Sequence, residues 1–257
     1  MGAERVPPPR RPLDGGALLV SASWRPARVV EATLATSSAR ILRLAVPGWE
    51  GSLAGQHVDV RLTAEDGYQA VRSYSLGDVS TDETIEIAVD EIPEGEVSPY
   101  LVRDVQPGDE VEVLGPLGGY FVWRAGDDAP VQLIAGGSGI VPLRAMIRAR
   151  LAAASGPPFR LLYSVRDPRD AIYRDELGEL PEEIRVAWVY TRVAPAGWQG
   201  RVGRLDGGTL DAAAFPVADD PVVYVCGPTG FVESVAQKLV ARGHPPLRIR
   251  TERFGGA

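Results

Sequence analysis

Residues 131–144, VQLIAGGSGIVPLR, constrain this chain most. A short apolar run, VQLIA, ends in Gly136-Gly137-Ser138-Gly139, and Pro142 opens a helix-forming run that continues through Leu151. The pattern reads as strand, tight glycine turn, helix. Glycine lets the backbone bend sharply and approach a ligand closely. The first N–H groups of the helix then point into the turn, where the helix dipole favours an anion. Pro142 suits a first helical turn, because its missing N–H costs nothing there. The stretch has the form of a pyrophosphate seat, although it is not the G-x-G-x-x-G fingerprint.

Strands and helices continue to alternate toward the C-terminus. The order after residue 130 is strand (VQLIA), helix (142–154), strand (RLLYSV), short helix (173–180), strand (RVAWVYT), short helix (208–214), strand (VVYVC), helix (230–241) and strand (LRIRTE). Such alternation predicts an α/β unit with a parallel sheet, whose ligands sit beyond the carboxyl ends of its strands. Before residue 125 the period is different. ARVVEATLAT, ARILRLAV, QHVDVRL, RSYSLGDV, TIEIAVD and DEVEVLG are short alternating segments separated by turns such as Pro107-Gly108-Asp109. They predict an antiparallel β-barrel or sandwich, with one helical candidate over 98–105. The expected division is a barrel domain over 24–125 and an α/β domain over 130–257, joined by the turn-rich 124–130. Residues 1–23, with Pro7-Pro8-Pro9 and Gly15-Gly16, lack periodicity and predict a disordered leader.

The chain has 257 residues, 45% apolar and 24% charged, with a net charge of −7. These values describe a globular protein without the basic footprint of a nucleic-acid binder. One cysteine, Cys226, excludes an intramolecular disulfide and a four-cysteine iron–sulfur cluster within the chain. Two histidines, His57 and His244, make a histidine-rich metal site unexpected. No apolar run is long enough to span a bilayer and none forms a signal-peptide core, so a cytoplasmic location is expected.

Three strand ends carry candidate chemistry: Gly136 to Gly139, Ser164 with Arg166, and Cys226-Gly227-Pro228. In a parallel sheet these ends lie along one edge and share a ligand, and Thr191-Arg192 joins the same edge. Arg166 and Arg192 with the Ser164 hydroxyl suit an extra phosphate through charge-assisted hydrogen bonds; the plain alternative is solvated loop arginines. In the first half, Arg72-Ser73-Tyr74-Ser75 places an arginine beside an aromatic ring and hydroxyls. That combination suits a flat, phosphorylated ligand, the alternative being an edge strand of mixed polarity. Gly95 to Leu101 is a turn leading into a helix and a second possible anion seat. Cys226 is otherwise a small core residue, and the five tryptophans read as packing residues.

Taken together these motifs resemble the ferredoxin–NADP reductase superfamily of flavin oxidoreductases. Arg72 to Ser75 resembles its R-x-Y-S flavin motif and Gly95 to Leu101 its G-x-x-S-x-x-L pyrophosphate segment. Gly115 to Gly118 resembles G-P-x-G, Ala135 to Pro142 resembles A-G-G-x-G-I-T-P, and Cys226 to Pro228 resembles C-G-P. The resemblance runs in family order from about residue 25 to the end. It implies a Greek-key flavin barrel followed by a nicotinamide-nucleotide domain, with FAD and NADPH, NADH being possible, as cofactors. It implies that Arg72 and Ser73 lie at flavin phosphate, Tyr74 stacks on the flavin ring, and Ser75 bonds near its hydride-accepting nitrogen. Gly95, Val97 and Ser98 would meet the pyrophosphate. Gly137, Ser138 and Gly139 would meet the nicotinamide nucleotide. Cys226 would lie near the hydride-donating carbon, with Gly227 and Pro228 shaping the pocket, Glu252 orienting nicotinamide and Phe254 shielding the flavin. Ser75, Cys226 and Glu252 are thus the candidate catalytic residues.

Val141 stands where the motif has threonine, and no cysteine-rich ferredoxin module is present at either end. The expected activity is hydride transfer from NADPH to FAD, with electrons then leaving to a separate ferredoxin-like or haem protein. The alternatives are a non-catalytic nucleotide-binding regulatory module, or a reductase acting directly on a small acceptor such as a ferric chelate or free flavin.

Overall fold

A computed structural model describes residues 23–79, 82–153 and 155–255. Apart from Ser23, the expected leader lies outside the described residues. The alternating segments of the first half form β1 (Arg25–Leu34), β2 (Ala39–Ala45), β3 (His57–Thr63), β4 (Gln69–Ser75), β5 (Thr84–Asp90) and β6 (Glu110–Leu117). They pair antiparallel in the order β4-β3-β6-β1-β2-β5. A bridge between Leu76 and Ile87 brings the two edge strands together, so the sheet curls into a barrel. The period-two pattern decides which side is interior: Val58 and Val60, Leu42 and Leu44, and Ile85 and Ile87 are all buried in one core. Where a helix over 98–105 is expected the chain is helical from 98 to 104, its last part a wide turn over Tyr100–Asp104. Arg40 closes its end, donating from Nη1 to the Val105 carbonyl at 2.8 Å.

The second half forms β7 (Val131–Gly136), α1 (Ile140–Ala152), β8 (Phe159–Val165), α2 (Arg174–Gly178), β9 (Ile184–Tyr190), α3 (Gly207–Ala213), β10 (Val222–Pro228), α4 (Thr229–Ala241) and β11 (Ile249–Phe254). The sheet is parallel, in the order β11-β10-β7-β8-β9. The chain winds from β7 toward β9, then returns to the other side of β7 as β10 and β11. Between β7 and β10 the winding reverses, the place where open parallel sheets bind ligands.

Residues 140–147 of α1 are buried on every side. A helix of that kind is covered on both faces: α1 lies between the parallel sheet and the barrel. One apolar cluster accordingly joins Ala39, Ala54, Ala88 and Phe121 of the first half to Ile140, Leu143 and Met146 of α1. Among the described residues no helix is long and apolar enough to cross a membrane.

Candidate active site

The edge strand β4 carries Arg72, Ser73, Tyr74 and Ser75 along one wall of a cleft of about 350 Å³. The opposite wall comes from Ala88 and Asp90 at the end of β5, the Gly95–Ser98 turn, and Ser138, Val141, Arg253 and Phe254 of the second half. Although alternation puts Arg72 and Tyr74 on one face of β4 and the serines on the other, all four border the cleft, because the free edge of the strand faces it. Arg72 Nη2 donates to Glu96 Oε2 at 2.8 Å, and the Tyr68 hydroxyl donates to Glu96 Oε1 at 2.9 Å. The Tyr74 ring packs against the barrel core, and burial holds its hydroxyl above the ordinary phenol range. Val97 is buried in the barrel core, so it offers the cleft main chain rather than side chain. The Ser98 hydroxyl accepts the Ile92 N–H at 3.0 Å, which tightens the turn.

A second cleft, of about 270 Å³, opens at the carboxyl ends of the parallel strands. Its floor is Gly136, Gly137 and Ser138; its sides include Ser164, Arg166, Thr191, Pro228 and Phe231. The barrel contributes Ser38 and Asp90. The turn between β7 and α1 needs two different properties of glycine. Gly137 takes a φ of +56° with open space where a Cβ would stand. Gly139 is helical, with a φ of −61°, but a Cβ there would lie 2.2 Å from the Cys226 carbonyl oxygen. The close approach of this turn to β10 therefore requires a residue without a side chain. Burial raises the Asp90 carboxyl above its ordinary value and Asp170 pushes it the same way, while the Ser38 hydroxyl, donating at 2.9 Å, and Arg166 pull it down. Arg169 is committed to Asp167 at 2.8 Å and leaves Arg166 as the guanidinium bordering the cleft.

Ser138, Asp90 and Phe254 border both clefts. Beside this common wall, the Ser75 hydroxyl donates to Glu252 Oε1 at 3.1 Å, a bond between residues 177 positions apart. Parallel pairing of β10 with β11 sets Glu252 opposite Cys226. Burial pushes the Glu252 carboxyl up to about 7, the Ser75 hydroxyl acting in the opposite direction. Burial, reinforced by the Glu252 carboxylate, raises the Cys226 thiol well above its ordinary value. The thiol is therefore a neutral packing group rather than a nucleophile.

The structure thus brings Ser75, Cys226 and Glu252 into one row, and Arg72, Ser73, Tyr74, Gly95, Val97, Ser98, Ser138 and Phe254 to one cleft. Gly137, Ser138, Ser164, Arg166 and Pro228 share the other. Gly139, Cys226 and Gly227 stand behind that cleft's surface rather than on it, and Arg192 is exposed outside its lining, its backbone N–H bonded to the Arg166 carbonyl. His57, opposite Ser75 in the β3–β4 register, is half-buried with its imidazole held below its ordinary pKa by desolvation. Sequence reasoning missed Asp90, Glu96 and Arg253. Glu96 was legible in principle, as a carboxylate inside the Gly95–Ser98 turn; Asp90 ends an ordinary strand pattern.

The chain matches the oxidoreductase FAD-binding domain over residues 26–122 and the oxidoreductase NAD-binding domain over residues 133–237. It is 32% identical over 212 residues to ferredoxin–NADP reductase B of Sorangium cellulosum, covering 78% of this chain and 84% of that one. Against ferredoxin–NAD(P)(+) reductase CarAd of Metapseudomonas resinovorans it is 29% identical over 229 residues, 89% of this chain and 68% of the relative. Across such relatives the chain spans from 51% to 84% of their length. Among solved structures, the flavohem-like FAD/NAD-binding domain of nitric oxide dioxygenase from Vibrio cholerae superposes with a TM-score of 0.80 at 25% identity, covering 90% of this chain and 99% of that domain.

Proposed function

Since the chain belongs to the ferredoxin–NADP reductase family and is a FAD-dependent NAD(P)H reductase, we propose that hydride crosses at the row formed by Ser75, Cys226 and Glu252. The electrons then leave to a separate ferredoxin-like or haem protein. The observation that carries this reading is the Ser75–Glu252 hydrogen bond, which joins the two halves beside the wall common to both clefts.

The residues present suit the two cofactors. The first cleft offers two guanidiniums, Arg72 and Arg253, the Tyr74 ring, and apolar contacts from Ala88 and Val141, a set suited to a flat ligand bearing phosphate. The second offers the helix start at Gly137–Gly139 for a pyrophosphate, and Ser164 with Arg166 for a further phosphate. When bound, a flavin takes hydride from a nicotinamide and releases electrons singly.

The chain's own work is binding and orientation. Arg72, with Ser73 beside it, and the main chain of Gly95, Val97 and Ser98 anchor the phosphate end of the first ligand. The Tyr74 ring fixes its plane. The Ser75 hydroxyl is oriented by Glu252 toward the cleft edge. Gly139 lets the start of α1 approach β10, and Ser138 and Pro228 both line the second cleft. Phe254, which borders both clefts, lies between the two ligands. NADPH is the favoured donor, on the strength of Arg166 and Ser164.

The protein acceptor is supported by the names of relatives such as the ferredoxin–NAD(P)(+) reductase CarAd and the toluate 1,2-dioxygenase electron transfer component of Pseudomonas putida. The test is a visible spectrum of the purified protein, then anaerobic titration with NADPH and separately with NADH. A flavin spectrum bleached faster by NADPH is expected. Faster bleaching by NADH would overturn the assignment of Arg166. A protein that takes up no flavin would overturn the reductase reading and leave a nucleotide-binding module.

A further inference from the structure

A buried, heavily bonded charged group lies outside both clefts. Arg144, on the second turn of α1, is 3% exposed. Its Nη1 donates to the Gly77 carbonyl at 2.9 Å and to Glu86 Oε1, both in the barrel half. Its Nε and Nη2 donate to Glu176 of α2 at 3.0 and 2.8 Å. The guanidinium carbon lies 4.2 Å from the centre of the Tyr173 ring, and the Tyr173 hydroxyl donates to the same Glu86 Oε1 at 3.1 Å. One turn later Arg148 repeats the connection, reaching Glu176 at 2.8 Å and Asp78 at 2.5 Å. The joint is built to close tolerance, for a Cβ on Gly77 would stand 2.7 Å from the Tyr173 hydroxyl and 2.9 Å from Glu86 Oε1.

Each partner lies within a few residues of a cleft wall. Gly77 comes two positions after Ser75, Glu86 precedes Ala88 by two, and α1 begins at the Gly137–Gly139 turn. Besides Arg148–Asp78 and Tyr173–Glu86 at this joint, polar fastenings between the halves also act elsewhere. Tyr224 Oη and Arg250 Nη1 both donate to the Val122 carbonyl, at 2.8 and 2.7 Å, and Ser75 bonds Glu252. Releasing Arg144 therefore leaves the two halves attached, while the segments that carry Ser75 and Ala88 lose their buried tie to α1 and α2.

We infer that Arg144 is a positioning residue for hydride transfer: joined at once to Gly77 and Glu86 of the barrel and Glu176 of the parallel half, it fixes the separation of the two cofactor clefts. The inference rests on the reductase reading of the two clefts. Hydride transfer depends steeply on donor–acceptor distance, and a misplacement of about 1 Å costs about a hundredfold in rate. A guanidinium is suited to the task because its planar fork engages a carbonyl and two carboxylates at fixed angles, which a lysine ammonium does not.

The test uses the FAD-loaded protein carrying R144K, and R144M/E86Q, in which the pair across the interface is removed together so that Glu86 is not left as a buried, unpaired carboxylate. The limiting rate of flavin reduction is measured by stopped flow at saturating NADPH, at equal distance below each variant's own melting temperature. In parallel, spin labels at L34C and V193C, two exposed positions in different halves, report the distribution of distances between the halves. Cys226 is fully buried and takes no label. For R144M/E86Q a tenfold or greater loss of limiting rate is expected, with coenzyme Kd and flavin content within twofold and a broadened distance distribution. R144K should fall between. If the double variant does not fold, R144K carries the same comparison. Rates within twofold and unbroadened distances would overturn the inference and leave Arg144 a stabilising residue only. An unaltered chain that bleaches with neither coenzyme would overturn the reductase reading, and the label distances would then decide whether Arg144 clamps the halves at all.

Discussion

Folding raises the pKa of the Glu252 carboxyl, and this makes a strong prediction about stability. Burial at the end of β11 raises its pKa from 4.5 to about 7, against the pull of the Ser75 hydroxyl. A difference of that size corresponds to about 3 kcal/mol between the protonation states. The sign comes from linkage. The folded pKa lies above the unfolded one, so the protonated form is favoured by folding. That contribution is complete below about pH 4.5 and is lost progressively as the pH rises through about 7. E252Q retains an amide able to bond Ser75 and removes the titration. Relative to the native chain it should therefore gain stability as the pH rises, by about 3 kcal/mol, or about 6–12 °C in Tm for a chain of this size. The assay is thermal unfolding of flavin-free native chain and E252Q from pH 4.5 to 8.5. S75A, lacking the hydroxyl that favours the carboxylate, should move the pH window upward. A Tm difference between native and E252Q that stays flat with pH, or that is largest at low pH, would refute both the burial of Glu252 and the role given to Ser75.

Two further expectations rest on the second cleft. R166A should weaken NADPH use, read as kcat/KM, by tenfold or more while sparing NADH, whereas R192A, altering a side chain exposed outside the cleft, should change either coenzyme by less than threefold; equal losses for the two coenzymes in R166A would exclude a phosphate contact. G139A should push the turn away from β10, because its Cβ would meet the Cys226 carbonyl at 2.2 Å. About 1–3 kcal/mol of destabilisation is expected in urea unfolding, with loss of coenzyme affinity, while G137A, strained in φ but unobstructed, should cost about 1–2 kcal/mol.

How far the site was legible depended on whether its geometry is local. The strand ends at 136–139, 164–166 and 226–228 converge because alternating strands and helices leave a parallel sheet few topologies, and such sheets bind ligands at one edge. Of the residues assigned from that edge, Gly137, Ser138, Ser164, Arg166 and Pro228 border one cleft, while Gly139, Cys226 and Gly227 lie behind it and Arg192 outside it. The barrel was legible only as strands. Alternation marks which residues face inward, but β6 inserts between β3 and β1, and nothing in local sequence encodes that pairing.

What sequence could not reveal is what one half does to the other. Arg144 and Arg148 stand four apart on α1, the spacing of an ordinary solvated helix face. They become buried or half-buried only because the barrel supplies Gly77, Asp78 and Glu86 from 58 to 70 residues away. Asp90 ends a regular strand, and its carboxyl matters only because Arg166 and Asp170 arrive opposite it from the parallel half. Glu252 takes its raised pKa from burial against the barrel, 177 positions from its partner Ser75. Residues that contact a ligand carry signatures a sequence displays, because the ligand's chemistry selects residue type. Residues that set the distance between two ligand sites are selected by the interface, whose partners lie far apart along the chain. The same division explains why the Arg144 clamp and the Glu252 titration are the points at which substitution reads out the assembly of the two halves rather than the composition of either cleft.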